Sequence, residues 1–210
     1  MENFLEEINA DINWRMGQLA TIKTLPYKYG MSLEHQEFLI KYLVPSCYAI
    51  WEGFIKNSFE IYTRQLNSLG MGLDEFSINI IVHSLERKYP QIKSEIKDQR
   101  KIEEFFDDLF YFTKNDFSIS SKLPTESNVN LKVTNNILRR FNLDLIPEAP
   151  YKGKLNKLLK YRNSIAHGDG NIPVSKKVIE EFSKTINELI CDIFIRIETG
   201  YKNNTYRANQ

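Results

Sequence analysis

An arginine, an asparagine and a histidine stand close together in the stretch KYRNSIAHGDG, near the end of a predicted helix. Histidine titrates near neutral pH and serves as a general base, and a guanidinium stabilises charge on phosphoryl oxygens through parallel hydrogen bonds. His167 could therefore take the proton of a ribose 2′-hydroxyl while Arg162 stabilises the attacked phosphate and Asn163 orients the imidazole or the hydroxyl. This metal-free reaction would cut RNA, but not DNA, and leave 2′,3′-cyclic phosphate and 5′-hydroxyl ends.

The spacing of these residues bears on how they could meet. Residues four apart share a helix face, so Asn163 and His167 are neighbours. Arg162 and His167 are five apart and diverge by about 140°. The long arginine stem can bend around the helix, and two copies packed through this helix would also let each histidine meet the other copy's arginine.

A structural interpretation of the same residues remains open. Gly168 is suited to end the helix in the left-handed conformation, and a histidine in the last turn can bond orphan carbonyls and favour the negative end of the helix dipole. On this view His167 simply caps a helix. The sequence leaves two possibilities, a helix end or half of an active site.

Hydrophobic periodicity is helical nearly throughout and predicts an all-α, up-and-down helical bundle with a helical or loop insertion around residues 90–130. We expect one domain over residues 1–201 and a disordered tail at 202–210. Helices are predicted over 3–20, 33–68 with a kink or break at Pro45, 74–89, after Pro90 to 114, 134–142, 151–167, and from Ser175 to about 201. Thr134 is expected to cap the fifth of these helices. The stretch TIKTLPYKYGM is expected to be a loop, and residues 115–130 a long loop or a strand pair.

The stretch RNSIAH resembles the Arg-x(4–6)-His signature of the HEPN superfamily of helical ribonucleases, and LVPSCYAIWEGFIKNSFEIY resembles a bundle helix of HEPN-like proteins from bacterial defence and toxin–antitoxin loci. The resemblance implies a metal-independent endoribonuclease without cofactors that forms a homodimer through the Arg162–His167 helix, acts on RNA, and is restrained by an inhibitory antitoxin or defence partner. The His-x-Tyr extension of some branches is absent, since Gly168 and Asp169 follow the histidine. The alternatives are a non-catalytic RNA- or nucleotide-binding module and a dimerisation module of a defence complex.

Further candidates lie around this motif. Glu52, the one charge in CYAIWEGFI, needs a partner: either Lys56 one turn on, or Arg162 or His167 across the bundle, where it would support the site. The segment 139–162 carries seven basic and two acidic residues, which is typical of a solvated helix face or of an RNA-binding surface. Its candidate RNA contacts are Tyr161, Lys154, Lys157 and Lys160.

Several classes of protein are disfavoured by composition. The net charge is +1, and no apolar run is long and uninterrupted enough for a membrane span. Cys47 and Cys191 are interpreted as reduced core residues of a cytoplasmic protein without a secretory signal. His35 is expected to be exposed and His83 to lie at the core edge. Neither has metal-ligand spacing, so we expect no metal site.

Overall fold

The computed structural model describes residues 2–89, 98–114, 117–125, 128–168 and 172–208. Within these ranges the chain forms α-helices, one short 3-10 helix at Leu73–Glu75 and no strand, which confirms the all-α prediction. The helices are α1 (Glu2–Lys28), α2 (Leu33–Asn67), α3 (Ile78–Lys88), α4 (Gln99–Lys114), α5 (Leu131–Arg140), α6 (Glu148–Ala166) and α7 (Lys176–Lys202).

Four long helices make the bundle. Helix α2 packs against α1, α6 and α7, and α5 packs against α3 and α6. The inner face of α2 supplies the largest buried side chains, among them Trp51, Phe54, Phe59 and Tyr62. Helix α6, which carries the Arg-Asn-His motif, is therefore positioned by direct packing on α2.

A glycine allows α1 and α2 to approach closely. A Cβ built on Gly53 would lie 2.7 Å from Nη1 of Arg15. The Arg15 side chain is buried, donates to the carbonyl of Ile50 at 2.9 Å and pairs with Asp11 at 2.6 Å. Gly53 therefore has a packing role, because its missing side chain makes room for a buried guanidinium that is bonded through Nε and Nη1.

Two prolines were expected to interrupt the helical structure, but both lie inside continuous helices. Helix α1 continues through Pro26 to Lys28, whereas we expected a loop after residue 20. Ile22 and Pro26 are buried against α2, and this apolar contact offsets the helix hydrogen bond that a proline cannot make. Helix α2 is likewise undivided at Pro45, where Val44, Cys47 and Tyr48 are buried in the bundle.

Some helix starts also differ from the predicted ones. Helix α3 begins after Ser77, because the residues around Asp74 form the short 3-10 helix. Helix α5 begins one turn earlier than expected, since Oδ1 of Asn130 accepts the Val133 N–H at 2.9 Å and thereby replaces Thr134 as the cap. Residues 117–125 and 128–130 form no strand, and Pro90 lies outside the described residues.

The chain after α7 is ordered through Ala208, contrary to the predicted disordered tail. Tyr206 is 4% exposed and stacks on Tyr201 with 5.6 Å between ring centroids. Its carbonyl accepts the Ser77 N–H at 2.8 Å, and the Ala208 N–H donates to the carbonyl of Glu75. One buried aromatic and two backbone hydrogen bonds hold a segment whose polar composition suggested fraying.

The burial of the cysteines and of His35 can be compared with the predictions. Cys47 is buried, but Cys191 is exposed on α7 rather than in the core, because it falls outside the apolar stripe of that helix. His35 is exposed, as predicted. No helix in the described parts of the chain combines the length and hydrophobicity that a membrane crossing requires.

Candidate functional site

Arg162 lies on the last turns of α6 and is held from two sides. Its guanidinium carbon is 4.7 Å from the centroid of the Tyr48 ring, and its Nη1 donates to Oδ1 of Asn163 at 2.7 Å. A cation over an aromatic face is worth about 0.5–2 kcal/mol, depending on desolvation. The guanidinium is therefore fixed in orientation before any ligand arrives.

Tyr48 is itself anchored to a second segment of the fold. The residue is 2% exposed, and its hydroxyl accepts the N–H of Val129 at 2.9 Å. One turn on, the Nε1 of Trp51 donates to the carbonyl of Val129 at 2.8 Å. Both backbone groups of the buried Val129 are thus satisfied by α2, which ties the segment before α5 to the platform under Arg162.

Glu52 completes this group. Its carboxylate pairs with Lys56 at 2.8 Å, the first of the two partners considered from the sequence, and also accepts a hydrogen bond from the Tyr48 hydroxyl. Burial raises the pKa of Tyr48 and the Glu52 carboxylate raises it further, while the Val129 N–H and the Arg162 charge lower it. Glu52 and Arg162 thus both contact Tyr48, Glu52 at the hydroxyl and Arg162 at the ring face.

His167 occupies the C-cap of α6. Its N–H donates to the carbonyl of Asn163 at 3.0 Å, and Gly168 follows with a φ of +78°, the predicted left-handed stop. The histidine is exposed. Among the described residues, no hydrogen bond joins His167 to the Arg162 side chain; the structure brings Arg162 and Asn163 together and leaves the imidazole exposed.

The candidate RNA contacts have unequal environments. Lys157 pairs with Glu181 at 2.6 Å and lies over the rings of Tyr161 and Phe182. Tyr161 is half-buried and packs edge-on against Phe182, so its ring is largely occupied within the bundle. Lys154 lies 6.0 Å from the ring centroid of Tyr151, and Lys160 is exposed. Of these four residues, Lys160 is the most accessible to a ligand.

The other histidines and acids do not build a metal centre in the described part of the chain. No group of three His, Cys, Asp or Glu residues there is placed to hold an ion. His83 is buried, and its Nε2 lies 2.9 Å from the carbonyl of Ser120. Arg140, 3.4 Å from the other ring nitrogen, pairs with Glu86 at 2.5 Å. This buried cluster fastens α3 to α5.

Comparison with known families agrees with the geometry. Residues 10–199 match the model of the family described as RiboL-PSP-HEPN. The chain belongs to this family. No curated protein and no solved structure matches this HEPN protein significantly. HEPN domains are often ribonucleases and often act as dimers or bind RNA, so membership connects the chain with RNA-related roles.

One residue of the site in this HEPN protein was not predicted. Tyr48 stood inside an apolar run and was counted only as part of a bundle helix, although it carries Arg162 and links that arginine to Glu52. The available signal was its hydroxyl: a buried tyrosine oxygen needs a hydrogen-bond partner, and Glu52 lies one turn further on the same face.

Proposed function

We propose that this protein is a metal-independent endoribonuclease whose reacting groups are Arg162, Asn163 and His167. The observation that supports the proposal most is the fixed guanidinium of Arg162, held by Asn163 and the Tyr48 ring one turn from an exposed histidine, in a chain of the RiboL-PSP-HEPN family. A positioned cation with a nearby general base is what transesterification at phosphorus requires.

The reaction proceeds by internal attack within the RNA. The imidazole of His167 accepts the proton of a ribose 2′-hydroxyl, and that oxygen forms a bond to the adjacent phosphorus. The P–O5′ bond breaks, the 5′ oxygen takes up a proton, and the products carry a 2′,3′-cyclic phosphate and a 5′-hydroxyl. Arg162 stabilises the charge on the non-bridging oxygens, and Asn163 keeps the guanidinium aligned.

The active form is a two-fold dimer that pairs two α6 ends. Within one protomer His167 faces outward and makes no hydrogen bond to the Arg162 side chain in the described residues, so a second copy would supply the histidine that meets each arginine. Two equivalent sites result. HEPN domains often act as dimers, which supports this arrangement.

The cellular setting is part of the proposal. Unrestrained cleavage would destroy the host's own RNA, so the activity would be held in check by an inhibitory antitoxin or a defence partner in the cytoplasm. The resemblance of the motif and of α2 to proteins of defence and toxin–antitoxin loci supports this setting.

Cleavage in EDTA tests the proposal directly. The wild-type protein should cut RNA with EDTA present, give cyclic-phosphate and 5′-hydroxyl ends, and leave an RNA with a single 2′-deoxy sugar uncut at that position. His167→Ala and Arg162→Ala should each slow cleavage by about 10²–10⁴-fold. His35→Ala and Arg100→Ala, which remove exposed residues of the same types, are the matched controls. Cleavage that survives both site substitutions would exclude this site, and binding without cleavage would favour an RNA-binding module.

A further inference from the structure

A cleft of about 510 Å³ opens between α5 and the start of α6, apart from the Arg162 group. A volume of this size lies in the range of small-molecule and nucleotide sites. Charged, amide and apolar side chains line it from both helices: Lys132, Asn136 and Arg139 from α5, Lys152 and Asn156 from α6, and Leu145 from the connection between them.

The cleft is cationic. Lys132 and Arg139 share one face of α5, are exposed, and form no ion pair within the described residues. Lys152 pairs with Glu148 at 2.7 Å, but both side chains are more than half exposed, so the pair is weak and exchangeable. Cations that lack fixed counter-charges are the groups with which proteins contact phosphates.

The cleft also holds groups suited to a base. Asn135, on the same helix, has its amide fully used, since it exchanges two hydrogen bonds with the backbone of Ile146 at 2.8 and 2.9 Å. The amides of Asn136 and Asn156 make no hydrogen bond among the described residues. Leu145 is 42% exposed at the rim. Unengaged amides read the edges of nucleobases, and an apolar side chain covers a base face.

The cleft and the Arg162 group lie along the same helix, α6. Lys152, Asn156 and Asn163 are spaced by four and seven residues and therefore share one face of α6. At 1.5 Å per residue, Asn156 precedes Asn163 by about 10 Å. A stacked strand advances about 3.4 Å per nucleotide, so this distance corresponds to roughly three nucleotides. On the other wall, the cleft residue Asn130 directly follows Val129, which Tyr48 holds.

We propose that this cleft binds an unpaired nucleotide of the RNA substrate, about three nucleotides from the phosphodiester that Arg162 contacts. The inference rests on the proposed ribonuclease function and adds the substrate class, RNA with an unpaired segment on one side of the cut. Lys132 and Arg139 hold the backbone, and Asn136 and Asn156 contact the base edge. A base inside a duplex cannot enter the cleft, because its edge is already paired.

Binding to an uncleavable RNA tests the cleft separately from catalysis. The probe is a labelled single strand of about 12 nucleotides with 2′-O-methyl sugars, compared with the same sequence as a duplex and with adenosine monophosphate. The double variant Lys132→Ala/Arg139→Ala should bind the strand at least tenfold more weakly. The slope of log affinity against log salt should fall by about 1.4, the value for two lost phosphate contacts. The control Arg100→Ala/Lys101→Ala removes two exposed cations of α4 and should bind like the wild type.

The amide gives an independent readout. Asn136→Ala removes no charge, so it should leave the salt slope unchanged and weaken binding at one base position only. Circular dichroism verifies that each variant is folded. Equal affinity of the cleft double variant and its control would overturn the inference, and so would tight binding of the duplex or of the mononucleotide.

The two proposals fail in different ways. If the cleft double variant cleaves RNA at the wild-type rate, the cleft proposal is wrong and the ribonuclease proposal is unaffected. If the wild-type protein does not cleave RNA, but the cleft double variant binds the strand more weakly than the wild type, the ribonuclease proposal is wrong. The cleft would then still be an RNA-binding site.

Discussion

Replacing Tyr48 with phenylalanine separates its two roles. The hydroxyl satisfies the N–H of Val129, whereas the ring face carries the Arg162 guanidinium at 4.7 Å. Tyr48→Phe removes the oxygen and keeps the ring. The variant should therefore lose stability but retain its cleavage activity, a combination that a general packing defect would not produce.

The expected loss follows from the burial of the groups left behind. Val129 is 0% exposed, so its N–H finds no water when the hydroxyl is gone. An unpaired buried donor costs about 1–3 kcal/mol. For a domain of this size each kcal/mol lowers the melting temperature by about 2–4 °C, which gives a fall of roughly 2–12 °C. Glu52 keeps its ion pair with Lys56 and adds little to the loss.

Urea unfolding and RNA cleavage measure the two effects on the same samples. Cleavage at 20 °C by Tyr48→Phe should stay within about threefold of wild type, because the cation–π contact survives. Tyr48→Leu, which lacks a π face, should lose about 1–2 kcal/mol of that contact, or roughly 5–30-fold in rate. Tyr29→Phe, at an exposed tyrosine, is the control and should change neither quantity. Wild-type stability in Tyr48→Phe, or a cleavage loss equal to that of Arg162→Ala, would refute this assignment.

Two further predictions concern the supporting structure. Gly17→Ala, with open space around it, should be neutral or stabilising by up to about 1 kcal/mol. Gly53→Ala should have a free energy of unfolding about 1–3 kcal/mol lower than Gly17→Ala in urea titrations, because its Cβ would lie 2.7 Å from the buried Arg15 guanidinium and displace it. Equal effects of the two substitutions would contradict the packing argument. Burial raises the pKa of Cys47 to about 11, so its thiolate fraction at pH 8 is about 10⁻³, and a thiol reagent should label only the exposed Cys191 until urea is added. Rapid labelling of two thiols in the native protein would show that Cys47 is accessible.

The sequence predicted what depends on local pattern. Apolar periodicity predicted the helices of the bundle, and Gly168 marked the end of α6, since a glycine after a periodic segment is a reliable stop. It failed where distant packing outweighs a local signal. Pro26 was interpreted as a loop residue, although burial against α2 keeps it helical. The tail was expected to be disordered because the residues around Tyr206 are polar, although the buried Tyr206 ring anchors it.

The candidate site was predictable only where its residues are close together in the sequence. Arg162, Asn163 and His167 stand together in the sequence, so their type and spacing were visible. Tyr48 lies more than a hundred residues away, and only the packing of α2 on α6 places it under the arginine. The basic segment 139–162 contains Arg139 and Lys152 of the cleft, but the cleft itself was not predicted, because its cations belong to two helices whose contact no local pattern encodes.

The composite site is tested most directly by mixing two inactive variants. If each site takes Arg162 from one copy and His167 from the other, a dimer of Arg162→Ala with His167→Ala contains one intact site and one that lacks both groups. Random exchange of equal amounts makes about half of the dimers mixed, so cleavage should return to about a quarter of the wild-type rate. No recovery, in a mixture shown to contain the mixed dimer, would contradict the account.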